Sequence, residues 1–260
     1  MNAPLSGPQR QARLLDQARA QHFVDVQALT ELFGVSVATI RRDLAELETQ
    51  GLLRRTHGGA LFVDQVTRDP ANRDRTVANV EAKRRIARAA ADLVVDGDTV
   101  IVDAGTTSLE VARLLGARSG LTIITNGLDV SHELANNATG NNRLFVIGGE
   151  FHDVNHSFAG PLAAEAMRRF NADKAILSVS SVDLDRGTIG LSSPQFACVQ
   201  QAMIEAAKAT IVVADASKFG RASLSVVARF AALDCIVTDS DAPAEADQKT
   251  VAHGSLLVRA

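Results

Sequence analysis

Ser36-Val37-Ala38-Thr39-Ile40-Arg41-Arg42-Asp43-Leu44-Ala45-Glu46-Leu47-Glu48 is the stretch that decides how the N-terminal part of this chain folds. Val37, Ile40, Leu44 and Leu47 recur at steps of three and four residues, the period of a helix with one apolar side. Ser36 is placed to cap it, its hydroxyl accepting from an amide of the first turn. Thr39, Arg41 and Arg42 then fall on the polar side. A helix that offers its N-terminus and arginines outward suits phosphates and base edges.

The flanking residues supply a bundle for that helix. Residues 11–20 read as a helix with Leu14, Leu15 and Ala18 inward, and residues 26–33 as a second with Val26, Leu29 and Leu32 or Phe33 inward. Gly34 allows the tight turn between the second helix and the third. A short helix, a glycine turn and an arginine-bearing helix form the helix-turn-helix pattern. After Gly51, read as the helix-ending glycine, residues 52–62 carry two short extended runs about Gly58-Gly59, a β-hairpin wing. Arg54, Arg55 and His57 sit on it, within reach of a duplex backbone. The competing reading of Arg41 and Arg42 is a solvated face paired with Asp43, Glu46 and Glu48. Cap, turn, period and wing in that order favour DNA.

Charge limits how such a protein binds nucleic acid. The formal net charge is −3, while residues 1–60 hold seven arginines against six acids. Docking therefore depends on local patches at 41–42 and 54–55, not on global basicity. At 260 residues, with 46% hydrophobic and 22% charged, there is room for a small and a medium domain. Cys198 and Cys235 have no metal-site spacing and read as free thiols in a reducing cytoplasm. No apolar run is long enough to span a bilayer, and the expected location is cytoplasmic, with no membrane partner. Trp and Tyr are absent, against an aromatic platform for single strands.

Residues 1–8 read as a flexible tail and residues 63–79, aperiodic and containing Pro70, as a linker. Beyond them β-branched runs at 99–102, 121–124, 144–147, 174–179, 210–214 and 235–237 alternate with helical runs at 81–94, 109–115, 128–135, 162–170 and 196–207. That alternation predicts an α/β domain with a parallel sheet and ligands beyond the carboxyl ends of its strands. Those ends are polar and glycine-bearing: Asp103-Ala104-Gly105-Thr106-Thr107-Ser108, Thr125-Asn126-Gly127, Gly148-Gly149-Glu150, and Asp215 to Gly220 with Lys218. Hydroxyls and amides at a helix start suit a phosphate. Each motif alone is explained by capping or turn chemistry; the set of four favours a small anionic ligand.

Residues 9–62 resemble the N-terminal domain of the DeoR family of bacterial transcription regulators, through the runs at 35–44 and 53–60. The resemblance continues over residues 80–260, at Asp103-x-Gly105-Thr106-Thr107, Thr125-Asn126, Gly148-Gly149, Gly160, Asp183 and Asp215-x-Ser217-Lys218-Phe219-Gly220. It implies a winged helix-turn-helix joined to a sugar-phosphate sensor and oligomerisation domain similar in fold to ribose-5-phosphate isomerase. By that resemblance Gly105, Thr106, Thr107 and Ser108 hold the phosphate, while Asp103, Asn126, Asp183 and Lys218 contact the sugar or close the pocket. The implied partners are double-stranded operator DNA, a phosphorylated sugar or polyol, and further copies of the chain in a dimer or tetramer. No cofactor is implied.

This chain departs from the family in three places. Ser181 stands where a glycine is common, and Phe196 and Gln200 stand where many members carry a glutamate and a lysine. The exchange takes one acid and one cation out of the expected pocket. The alternative function is an isomerase-like enzyme with a fused DNA-binding module, using Asp103, Asp183 or Asp215 as proton carrier. Without the glutamate and lysine its relay is short of members, so binding without turnover is the preferred reading. His152 and His156, four apart, would meet at a metal only on a helix; Asp153, Asn155 and flanking glycines indicate a loop. Lys83, Arg84, Arg85 and Arg88 read as a solvated basic face that also anchors the linker, with DNA backbone contact as the lesser alternative.

Overall fold

The computed structural model describes residues 6–21, 23–49, 52–56, 58–62 and 72–260. The chain forms two compact units, Met1–Arg68 and Asp69–Ala260. The first contains α1 (Gly7–Gln21), β1 (Phe23–Asp25), α2 (Val26–Phe33), α3 (Val37–Thr49), β2 (Leu53–Arg55) and β3 (Gly59–Phe62). Asp25 caps α2 by accepting from the amides of Gln27 and Ala28 at 2.8 and 3.1 Å. Gly34, at φ 64°, ends α2 in the left-handed conformation that an L side chain resists. Ser36 caps α3 as its sequence indicates, Thr39 N donating to Ser36 Oγ at 3.2 Å.

Leu14, Ala18, Val24, Leu29, Ile40, Leu44, Leu47, Leu53 and Ala60 make the core of this unit, with Leu15, Val26 and Phe33 packed beside it. Of the two alternatives on α2, Phe33 takes the inward place and Leu32 is 60% exposed. One expectation is corrected: Val37, at the first turn of α3, lies at the rim and is 37% exposed. Asp43 takes an inward position on α3 instead, paired with Arg10 through Nε to Oδ2 at 2.6 Å and Nη2 to Oδ1 at 3.1 Å. This two-pronged ion pair straps α1 to α3. The wing forms, β2 pairing antiparallel with β3, and β1 adds to the far edge of β3 as an unanticipated third strand. Gly51 and His57 lie outside the described residues, and so does the Arg54 side chain.

The second unit begins with α4 (Asn72–Val77), inside the segment read as a linker, followed by α5 (Val80–Asp92). Lys83, read as part of a solvated face, is buried: its Nζ donates to the carbonyls of Arg75 and Ala78, fastening α4 to α5. Burial lowers its pKa to about 8. Seven parallel strands form the sheet: β4 (Thr99–Val102), β5 (Thr122–Thr125), β6 (Arg143–Val146), β9 (Ala172–Ser178), β12 (Ala207–Val213), β14 (Cys235–Thr238) and β15 (Leu256–Arg259). Helices α5, α6 (Thr106–Leu115) and α7 (Leu128–Asn137) cover one face, contributing Ile86, Val111, Leu115, Val130 and Leu134. Helices α8 (Pro161–Met167) and α9 (Pro194–Ala206) cover the other with Ala163, Met167, Ala202 and Met203.

The strand order is β15-β14-β12-β9-β4-β5-β6. The chain runs outward from β4 through β5 to β6, then returns to the other side of β4 and runs outward again from β9. Between β4 and β9 the crossovers diverge to opposite sides, which opens a crevice above their carboxyl ends. The hairpin β7 (Glu150–His152) with β8 (Ser157–Ala159) and the sheet β10 (Ser181–Asp183), β11 (Thr188–Leu191) and β13 (Ser225–Arg229) were not anticipated; nor were β15 and α10 (Ala246–Ala252). Among the described residues no helix is long and apolar enough to cross a membrane.

Candidate functional site

A cleft opens at the β4/β9 switch point, lined in part by Asp103, Ala104, Asn126, Ser178, Phe196 and Gln200, with Arg75 from α4. Asp103 directly follows β4, and its amide donates to Ile176 O of β9 at 3.0 Å. Its carboxylate Oδ2 accepts from Ser178 N at 3.2 Å and Gln200 Nε2 at 2.7 Å. Gln200 Nε2 also donates to Ser178 O at 2.6 Å, while Gln200 Oε1 is buried without a partner. Asn126 uses both ends of its amide to fix the walls, accepting from Ala104 N at 3.2 Å and donating to Phe158 O at 3.0 Å. Arg75 Nη2 donates to Val154 O and Asn155 Oδ1.

Burial pushes the Asp103 carboxyl up to about 7, overcoming the hydrogen bonds from Gln200 and the Ser178 amide that favour its anion. An unfolded aspartate titrates near pH ~4, so between that pH and about 7 the folded protein holds a proton the unfolded chain has released. Stability from this group is therefore full at low pH and declines as pH rises through the folded pKa. Asp103→Asn keeps an acceptor for both donors and removes the titration. Its Tm is expected to exceed the parent's at about pH 8.5, with the gap closing at about pH 5. A gap that does not change with pH would reject this assignment.

The loop before α6 has the geometry of an anion cradle. Gly105 sits at φ 152°, and a Cβ there would meet Ser178 Cβ at 2.7 Å and Oγ at 2.8 Å. Among the described residues nothing accepts from the amides of Gly105, Thr106 and Thr107 at the start of this ten-residue helix. Ser108 is fully buried and its hydroxyl is bonded to Ser178 Oγ at 2.7 Å, so it pins α6 to the end of β9. Thr125 is buried too, its Oγ1 accepting from Gly127 N at 3.0 Å. It shapes the turn that carries Asn126.

Of the expected effector residues Asp103 and Asn126 are in the cleft lining; Gly105, Thr106, Thr107, Ser108, Thr125, Gly148, Gly149, Asp183 and Lys218 are not. Gly149 allows close packing, since a Cβ would meet Ala159 O at 2.8 Å; Gly148 beside it is exposed. Asp183 Oδ1 accepts from the amides of Asp185 and Arg186, organising the β10–β11 turn. Lys218 is half-buried beside Asp215. Burial alone would raise the Asp215 carboxyl, but the Lys218 charge and the Ser217 bond hold it below the usual range. His152 and His156 lie on and beside a hairpin, and His156 Nδ1 is 3.1 Å from Asp129. Ser178 and Arg75 were missed. The run Ser178-Val179-Ser180-Ser181 at the end of the fourth strand was the available signal for the first; nothing local marks Arg75.

On the first unit, Ser36, Arg41 and Arg42 are exposed on α3 and Thr39 is half-exposed. Asp43 is taken by Arg10, and Glu48 by Arg55, whose amide and Nε donate to its two oxygens at 2.8 and 2.7 Å. That backbone bond foremost lowers the Glu48 pKa. With those acids engaged elsewhere, Arg41 and Arg42 form no ion pair among the described residues. Arg55 lies along α3, which sets its position beside the outward face.

Residues 10–66 match the DeoR-like helix-turn-helix domain, and residues 78–240 the DeoR C terminal sensor domain. The transcriptional repressor AccR of Agrobacterium fabrum is 51% identical over 231 residues, 89% of each chain. The putative aga operon transcriptional repressor of Escherichia coli O157:H7 is 36% identical, over 91% of this chain and 88% of its own. The glycerol-3-phosphate regulon repressor of Escherichia coli K12 is 32% identical, over 94% and 96%. Among solved structures, a ribose 5-phosphate isomerase A from Methanocaldococcus jannaschii is similar over 55% of each chain, at 18% identity and a TM-score of 0.41. A winged helix with free arginines, a parallel-sheet sensor unit and these full-length relatives lead to one conclusion: the chain belongs to the DeoR family, as a DNA-binding transcriptional regulator rather than an enzyme.

Proposed function

We propose that this protein represses a carbohydrate operon, and that a phosphorylated sugar or polyol held in the switch-point cleft sets its affinity for operator DNA. The observation that carries the reading is the cleft itself: Arg75 lines it together with the acceptors of Asp103 and Gln200, and Ala104 of the same lining leads into Gly105, Thr106 and Thr107, whose amides have no acceptor among the described residues. A phosphate suits the amides and the cation, and hydroxyls suit the acceptors. Ser36, Thr39, Arg41 and Arg42 meet the duplex on α3, with Arg54, Arg55 and His57 on the wing touching its backbone. One recognition helix buries too little surface for tight operator binding, which favours a dimer or tetramer reading paired half-sites. Thr106 and Thr107 begin α6 and direct the phosphate; Asp103 and Asn126 face the sugar.

A thermal-shift screen against phosphorylated sugars and polyols, followed by release of DNA selected from a random pool, tests the reading. At least one compound should stabilise the protein and alter its DNA affinity; a screen with no such compound would overturn it. Arg41→Ala or Arg42→Ala is expected to cost about 1–3 kcal/mol on the selected site and to relax preference at one base position. Equal loss on selected and random DNA would assign that arginine to the phosphate backbone instead.

A further inference from the structure

We propose that Gln200 and Asp103 make the cleft selective for phosphorylated compounds whose carbon chain offers hydroxyl or amino donors, and against those that carry a second acid. This rests on the effector reading above and adds the chemical class of the ligand's non-phosphate end.

The argument starts from the amide of Gln200, 2% exposed on α9. Its Nε2 donates to Asp103 Oδ2 and to Ser178 O, a carboxylate and a carbonyl, which in these bonds only accept. The NH₂ group is thereby assigned, and reversing the amide would set oxygen against oxygen twice. Oε1 is left buried with no partner among the described residues. A buried acceptor without a donor is unfavourable, and native proteins rarely leave one. Gln200 lines the cleft, so a ligand that brings a hydroxyl or an amine supplies what the fold leaves out.

Charge balance gives the second half of the selection. Among the described lining residues Arg75 is the one cation and Asp103 the one acid. One guanidinium matches one phosphate. A carboxylate on the same ligand would find no second cation among the lining residues and would share the cleft with the unpaired Gln200 Oε1 and with Asp103, whose like charge repels it once pH passes about 7. Asn126 has both amide ends engaged and Ser178 Oγ is bonded to Ser108, while the other polar lining residues, Asn155, Ser157 and Ser180, carry no charge. Phe196, also in the lining, adds no charge.

Calorimetric titration of the full-length protein with matched ligands tests the proposal. The series is sorbitol-6-phosphate, glucose-6-phosphate, glucosamine-6-phosphate and 6-phosphogluconate, with ribitol-5-phosphate, ribose-5-phosphate and 5-phosphoribonate beside it. At least one neutral or amino member should bind, and the acid of the same skeleton should bind at least about tenfold more weakly. Gln200→Lys keeps a donor for Asp103 and Ser178 O but deletes the acceptor and adds a cation, so it should erase or invert that ratio. Gln200→Met removes the acceptor without adding a charge, so it should narrow the ratio; it carries the test if the lysine variant does not fold. An acid that binds the parent as tightly as its neutral counterpart, or a ratio unmoved by either variant, overturns the Gln200 assignment alone. No binding by any member, with DNA binding intact, overturns the effector reading and this assignment with it.

Discussion

Ile40→Ala is expected to abolish DNA binding without touching the sensor unit. Ile40 is fully buried in the first turn of α3, in one core with Leu14, Leu29, Leu44 and Leu53. Truncating a buried isoleucine to alanine costs about 2–5 kcal/mol, the lost burial plus the cavity left behind. Whole domains are stable by only about 5–15 kcal/mol, and small ones lie at the bottom of that range because they bury less of their surface. The first unit is small, and α3 is held by this core and by the Arg10–Asp43 strap. The change should therefore unfold much of that unit, and the arginines of α3 lose their common face. The variant should fail to shift selected DNA while an effector found by screening still raises the melting temperature of the second unit. Unchanged DNA affinity would mean that α3 does not depend on this core.

The second large effect is expected from Gly105→Ala, which should destroy the effector response. At φ 152° the backbone is strained for any L side chain, and the new methyl would press on Ser178 from 2.7 Å. Backbone strain of this kind costs roughly 1–3 kcal/mol. Overpacking adds roughly 1–3 kcal/mol more. Ser178 is bonded to Ser108 through its hydroxyl, and to Asp103 and Gln200 through its backbone, so its displacement disturbs the floor and rim of the cleft together. Melting temperature and effector-driven DNA release should both fall sharply. Ser178→Gly removes the clash and also the bond to Ser108, so the comparison is with Ser178→Gly alone: there Gly105→Ala should cost less than in the parent, without the loss vanishing. A loss that vanishes there would show that the backbone at Gly105 is unstrained.

What the sequence disclosed and what it hid divide along the range of the interactions. Cap, turn and periodic apolar residues identify α2 and α3 because each signal is complete within a few residues. The inward place of Asp43 was hidden, since its partner Arg10 lies on another helix and nothing local tells a buried acid from an exposed one. Strand β1 was hidden for a similar reason: three residues are too few to show alternation, and its partner β3 is far along the chain. Helix α4 is six residues long and polar, with no stripe to betray it, so Arg75 read as linker. In the second unit the β-branched runs disclosed six of the seven strands, because strands buried on both faces are apolar throughout. Asp103 and Asn126 were legible as polar residues ending such runs. Ser178 and Gln200 meet Asp103 only across the sheet and its covering helix, a relation that spacing does not record.

Helix α9 carries two unrelated responsibilities on two stripes. Val199, Ala202, Met203 and Ala206 pack into the interior, while Phe196 and Gln200, one turn apart, border the ligand space. A side-chain change at 196 or 200 therefore acts on the cleft lining from the same rigid rod whose opposite stripe is seated among apolar neighbours.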